Sequence, residues 1–272
     1  MYNGIINVYK EAGYTSFDVV AKLRGILHQK KIGHTGTLDP EATGVLPVCL
    51  GNATRICELM NDETKTYRAI LKLGINTDTE DLTGKVLETF DVKVSKEEIL
   101  DAVDSFKGEI MQIPPMYSAL KVNGKKLYEL AREGKTIERK PRPVTVFDIS
   151  VLNIDMENYE VCFDVTCSKG TYIRTLCFDI GKKLSCGGAM KSLVRTRVAC
   201  FEIENALKLE EIEKVRDEGK LDEIIVPVDR YFDKYPKVIA KNEEEDRLIK
   251  NGNKIKLDVI PDIIRMYDVK GN

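Results

Sequence analysis

The chain has 272 residues, 43% of them hydrophobic, with 42 Lys plus Arg against 44 Asp plus Glu and a formal net charge of -2. That length buries a sizeable core in one or two domains, and the charge balance excludes a global field that would draw the protein to a polyanion, so any nucleic-acid surface has to be a local patch. Two histidines and seven cysteines without a CxxC pair leave no obvious zinc centre and suit a reducing compartment, while the lack of an export signal or an apolar run near roughly 18 residues predicts a cytoplasmic protein.

In chain order, Ile5 to Tyr9 reads as a short buried strand that ends in a turn at Gly13. Ser16 is placed to cap a helix with Phe17, Val20, Leu23 and Leu27 on its buried face and Lys22 and Arg24 in solvent. Residues 33–51, GHTGTLDPEATGVLPVCLG, read as a loop. Residues 66–73 alternate as a strand, with Tyr67, Ala69, Leu71 and Leu73 inward and Arg68 and Lys72 outward. Residues 74–85 have turn chemistry, and Ser95 with Glu98 forms a capping box before Ile99, Ala102, Val103 and Phe106. Residues 144–154 and 159–167 read as two strands divided by Glu157 and Asn158. Strands separated by helical patterns, several of them in antiparallel-looking pairs, predict an α+β fold with a mixed, largely antiparallel sheet flanked by helices. The pattern changes near residues 225–228, so residues 231–272, with LIKNGNKIKL at 248–257, are expected to form a small second unit.

Charge is segregated along the chain. Residues 117–145 carry Lys121, Lys125, Lys126, Arg132, Lys135, Arg139, Lys140 and Arg142 against three glutamates, whereas residues 202–224 carry nine acids and four bases. This permits a basic face for phosphate contacts on a nearly neutral protein; it equally describes ordinary solvated helices and loops.

The stretch from Gly33 to Gly51 carries the sharpest chemistry. Gly33 and Gly36 let the backbone approach a ligand closely, and Pro40 keeps Asp39 out of a helical conformation. An aspartate fixed this way can be a nucleophile, a general base, an electrostatic anchor or a turn residue that bonds backbone amides. His34 can stack on a planar ligand or sit as a partly exposed loop residue. The stretch lacks the GK[ST] ending of a phosphate loop, and residue chemistry alone goes no further.

Gly33-His34-Thr35-Gly36-Thr37-Leu38-Asp39-Pro40, followed by Ala42, Gly44 and Leu46, resembles the signature of the bacterial tRNA pseudouridine synthases of the TruB type. Lys65-Thr66-Tyr67, Pro114 to Ala119 with Lys121 and Gly124, Ser168 to Leu176, and Leu193 to Arg197 follow in that family's order, so the likeness spans about residues 3–230. It implies the pseudouridine synthase fold over residues 1–230, with a basic RNA-clamping insertion near 121–142. Residues 231–272 would then be a short or truncated PUA-like unit.

The same resemblance implies isomerisation of the T-loop uridine, position 55, of tRNA. Asp39 would be the catalytic residue, as nucleophile or as the base that opens a glycal route, and Arg174 would aim it as a two-pronged partner. Tyr67 would lie against the base, Tyr172 and Leu193 would enclose the pocket, and His34 would fill the space of the flipped uridine. Lys121, Lys125, Lys126, Arg132, Arg139, Lys140 and Arg142 in the insertion, with Lys191, Arg195 and Arg197, would contact the RNA. No cofactor or metal is expected, and the expected partner is the tRNA T-arm, with no guide RNA, no membrane and a monomeric protein. An RNA-binding or RNA-folding protein with dispensable chemistry, and a guide-dependent relative acting on ribosomal RNA, are the competing readings.

Overall fold

The computed structural model describes all residues except 62, 123, 257–262 and 272. A nine-stranded sheet organises it: β1 (Gly4–Lys10), β2 (Ile32–His34), β3 (Thr43–Leu50), β4 (Lys65–Leu73), β5 (Gly108–Gln112), β6 (Arg142–Asp155), β7 (Glu160–Cys167), β8 (Gly188–Val198) and β9 (Phe201–Glu202). Their spatial order is β1-β3-β8-β4-β7-β6-β5, with β2 beside β3 and β9 beside β8. The pairs are antiparallel except β3 with β8, which run parallel with Val194 opposite Thr43 and Arg195 opposite Gly44. This is the expected α+β architecture with a mixed, largely antiparallel sheet.

Side-chain alternation explains which faces are covered. From β1 and β3, Ile6, Val8, Leu46, Val48 and Leu50 pack against Val19, Val20 and Leu23 of the helix Ser16–Ile26 and against Leu209 and Ile212. Ile5, Val45 and Cys49 face the other way, onto Ala53, Met60, Phe201 and Tyr231. Because both faces are covered, the run Val45-Leu46-Pro47-Val48-Cys49-Leu50 is apolar without alternation. Farther along the sheet, Ala69, Leu71, Val161, Phe163 and Val165 join Ile99 and Val103 of the helix Lys96–Asp104 and Leu176, Cys177 and Ile180 of the helix Ile173–Lys183.

Three local expectations are corrected. Half of residues 33–51 is strand rather than loop, because Gly44, at φ +104°, lets β3 close on β8: a Cβ there would lie 2.2 Å from the Arg195 carbonyl oxygen. The cap of the first helix is Thr15, in a capping box with Asp18, while the Ser16 hydroxyl accepts the Leu38 N–H at 3.0 Å. Phe17 is not on the buried face; it is 72% exposed, because the buried stripe runs one position out of phase through Ser16, Val19, Val20 and Leu23. The Ser95–Glu98 capping box forms as expected.

Toward the carboxyl terminus, Tyr231 is buried in the main core and its hydroxyl donates to Glu63 Oε1 at 2.7 Å. Beyond it, Lys237–Ile239 pairs in parallel with Arg265–Tyr267, beside the helix Glu243–Lys250. Residues 257–262 and 272 of the expected second unit, including the last residue of the 248–257 segment, lie outside the described residues.

Candidate active site

Asp39 stands in the connection between β2 and β3, and that connection is tied down from several sides. The Thr35 N–H and hydroxyl both donate to the Pro47 carbonyl, at 3.1 and 3.2 Å. The Pro40 carbonyl receives Lys10 Nζ at 2.9 Å and the Gly13 N–H at 3.0 Å. Leu38 inserts into the core beside Ala42. The backbone on both sides of Asp39 is therefore fixed, while its side chain keeps 44% of its surface open.

Arg174 meets it from the first turn of the helix Ile173–Lys183. Its Nε lies 3.0 Å from Asp39 Oδ2, and Nη2 donates to Oδ1 at 3.4 Å. Nη2 also donates to the Tyr117 carbonyl at 2.8 Å and Nη1 to the Thr79 carbonyl at 3.1 Å, with Asp81 Oδ2 3.8 Å from Nε. A cation at a helix N-terminus opposes the helix dipole, and this one has only 6% of its side chain exposed. Two carboxylates and two carbonyls offset both costs and leave the guanidinium plane one orientation.

Upstream of Arg174, Gln112 clamps the Tyr172 backbone, accepting its N–H at 3.0 Å and donating to its carbonyl at 3.1 Å. Burial pushes the Tyr172 phenol above its ordinary pKa. The same cause raises Tyr67, against the opposing pull of the Arg195 guanidinium, so both rings are neutral phenols at physiological pH. Tyr67 sits on β4 opposite Arg195 of β8, one pleat from the Ala69–Leu193 pair. Leu193 is buried in the same core cluster that Tyr67, Leu38 and Ala42 pack into. The structure thus brings Asp39 and Arg174 into direct contact, with the Asp39 charge felt at Tyr67 and both charges felt at Tyr172; Leu193 shares a core cluster with Leu38 and Tyr67.

His34 ends β2. Burial, reinforced by the Arg195 charge, lowers its pKa and favours the neutral imidazole. Its Nδ1 is buried without a hydrogen-bond partner, and the exposed Phe17 ring stands edge-on to it at 5.1 Å between centroids.

The basic residues divide. Lys121, Lys125, Arg132, Lys140 and Arg142 are exposed. Lys126 and Arg139 are half-buried, and Arg139 donates to the Pro114 carbonyl at 3.1 Å. Lys191 pairs with Glu160 at 2.6 Å, and Arg197 donates twice to the Thr66 hydroxyl. Arg195 requires a correction: it is 1% exposed and donates to the Val45 and Gly36 carbonyls at 2.7 and 3.2 Å, so it holds the Asp39 segment against β8 and has no surface for RNA. The segment 121–142 forms the hairpin Lys121–Val122 with Lys125–Lys126 and the helix Leu127–Arg132, with Leu127 buried.

Sequence reasoning missed Asp81, Thr79, Tyr117 and Gln112. The Pro114 to Ala119 motif was visible, but its contribution through the Tyr117 carbonyl was not. Among the described residues, no group of His, Cys, Asp and Glu is placed to hold a metal ion, and no helix is long and apolar enough to cross a membrane.

Comparison with known proteins gives a consistent family. Residues 24–173 match the TruB family pseudouridylate synthase N-terminal domain, and residues 174–233 match the tRNA pseudouridylate synthase B C-terminal domain. The tRNA pseudouridine synthase B of Lachnoclostridium phytofermentans is 55% identical over 98% of this chain and 92% of its own length. That of Clostridium tetani is 50% identical over 97% of this chain and 92% of its own. Among solved structures, an H/ACA RNP bound to a substrate RNA containing 2'-deoxyuridine superposes with a TM-score of 0.73 at 27% identity, over 98% of this chain and 75% of that one. A Cbf5-Nop10-Gar1 complex gives 0.71 at 32% identity, over 92% of this chain and 66% of that one.

Proposed function

The chain belongs to the TruB family and is a tRNA pseudouridine synthase, and from that premise we propose how its own residues carry the isomerisation. The substrate is the T-loop uridine at position 55, flipped out of its stack into the pocket beside Asp39. His34 takes the vacated space, its neutral ring offering a face to the neighbouring base. Tyr67 lies along the flipped base, with Leu193 on its other side and Tyr172 closing the pocket.

Asp39 then acts at the ribose, by attack at C1' or by removing a proton from C2'. Either route breaks the C1'–N1 bond, lets the base rotate and forms C1'–C5. As C1'–C5 forms, the Asp39–C1' bond of the first route breaks or the C2' proton of the second returns; the C5 proton leaves and N1 gains one, so atoms balance without a co-reactant. Arg174 aims the carboxylate; Tyr67 sits where the C5 proton departs. The observation that carries this reading is the half-open Asp39 carboxylate held at 3.0 Å by an almost fully buried guanidinium, an arrangement that pre-orients a reacting oxygen at little entropic cost.

Residues 1–230 form the catalytic domain, into whose core Tyr231 packs, and the chain that follows contributes to a PUA-like unit. The exposed cations of 121–142 close over the T-arm. The protein acts in the cytoplasm as a monomer without guide RNA. Incubating purified protein with unmodified tRNA and mapping pseudouridine at single-nucleotide resolution tests the reading. Modification at the T-loop uridine by the parent and none by Asp39→Ala, with tRNA binding retained, is the expected result. Turnover by Asp39→Ala removes Asp39 from the chemistry.

A further inference from the structure

Beside His34 the surface opens into a cleft of about 540 Å³ whose lining includes Phe17, Arg24, Lys30, Lys31 and Glu58. Lys30, Lys31 and Arg24 are exposed, and among the described residues the polar contacts of their side chains are neutral: Lys31 Nζ meets Asn52 Oδ1 at 3.3 Å, and Arg24 Nη2 meets the Ile32 carbonyl at 3.5 Å. Three cations thus face one acid in a concave surface, on a protein whose net charge is -2. None of the three is spent in an ion pair among the described residues. At the rim, Phe17 exposes 72% of its surface, an unusual position for a large aromatic ring that has a helix stripe one step away in which to bury.

We propose that this cleft is a second RNA site, separate from the 121–142 insertion, in which Arg24, Lys30 and Lys31 take the backbone phosphates next to the flipped nucleotide and Phe17 stacks on a neighbouring base. The proposal rests on the reading of His34 as the residue beside which the uridine leaves its stack. A flipped nucleotide stays tethered to its neighbours by phosphodiesters, so phosphates and an unstacked base edge must arrive on the open side of His34, where this cleft lies. Cations fix phosphates without reading sequence, and an exposed aromatic face accepts any base. Phe17 and His34 already meet edge-on at 5.1 Å. The two rings stand at 90° to each other, so a base laid on Phe17 would be a different one from the base that meets the His34 face, and the pair would hold two splayed neighbours of the flipped nucleotide.

The test measures binding of unmodified tRNA across a range of salt concentrations, with pseudouridine formation as a separate readout. The triple variant Arg24→Ala, Lys30→Ala, Lys31→Ala is expected to lower the slope of log affinity against log salt by about 2, the value for three phosphates of single-stranded RNA. Glu58→Gln is expected to tighten binding. Phe17→Ala is expected to weaken it about tenfold, as lost stacking on one base does, and Phe17→Tyr to restore it. All five positions are exposed, so each variant should keep the parent's unfolding transition, which circular dichroism checks. A triple variant with the parent's slope, or Phe17→Ala binding like the parent, overturns the proposal. If the parent forms pseudouridine in tRNA while those variants bind normally, the cleft site falls and the family reaction stands; if the parent fails to bind tRNA, both fall.

Discussion

Arg174→Lys keeps the charge and removes the geometry. In the parent, one guanidinium engages both oxygens of Asp39, the Thr79 carbonyl and the Tyr117 carbonyl. A lysine ammonium has three donors on a flexible stem and cannot reach all of these acceptors from one point. If it stays on Asp39, at least one buried carbonyl loses its partner, at about 1–3 kcal/mol. For a chain of this size a loss of about 2 kcal/mol lowers Tm by roughly 4–8 °C. The larger effect is on chemistry. Without the two-pronged contact the carboxylate is no longer aimed, and a misplacement of about 1 Å costs roughly 100-fold in rate. Single-turnover pseudouridine formation at saturating tRNA separates this from binding, and calorimetry supplies the Tm. A rate within threefold of the parent would refute the claim that the fork geometry at Asp39 is what matters, even if stability fell.

Gly44→Ala should destabilise the fold by roughly 3 kcal/mol or more, because the new Cβ meets backbone at 2.2 Å from a left-handed φ; urea unfolding reads this, and a midpoint shift near zero contradicts the β3–β8 contact. Lys10 is fully buried, and desolvation lowers its pKa to about 8. Between pH 8 and roughly 10.5 the unfolded chain holds this proton and the folded one does not, so stability rises through that window by about 3 kcal/mol. Lys10→Met should lack this rise in pH-dependent denaturation, and should slow catalysis as well, since the Pro40 carbonyl loses Nζ. Neutralising Lys121, Lys125, Arg132 and Lys140 together should lower the salt slope of tRNA binding by up to about 3, with little effect on single-turnover rate at saturation; adding Arg139→Ala should change the slope little further, because that guanidinium is committed to Pro114.

What the sequence exposed and what it hid follow a physical line. Asp39 and His34 stand out in the motif at 33–46, and Tyr67 and Arg174 in the segments at 65–67 and 168–176 that follow it in the family's order; the structure brings Asp39 and Arg174 into contact. Asp81 and the Thr79 and Tyr117 carbonyls do not stand out: any residue has a carbonyl, so nothing in a string of letters marks the two that complete the arginine's shell. Arg195 reads as a surface cation in a basic strand, and its burial depends on Gly44 admitting a parallel neighbour from the far end of the chain. Phe17 shows the limit of helical phase: an apolar residue at the right period was assigned inward, whereas Ser16 takes the inward place to bond the Leu38 amide. The run through Pro47 reads as loop from its glycines and proline, yet two covered faces turn the same letters into a buried strand.

The Asp39–Arg174 contact joins residues 135 positions apart. Closing such a span costs chain entropy that no local contact recovers, so the pair forms only after the intervening strands have assembled. During synthesis the segment bearing Asp39 emerges long before the helix that carries its partner, and β8, which braces that segment through Arg195, emerges later still. A partly made chain therefore presents an unaimed carboxylate and a pocket without walls. During refolding, recovery of activity should trail recovery of helix signal, because the reacting group and the group that orients it meet only when the sheet is whole.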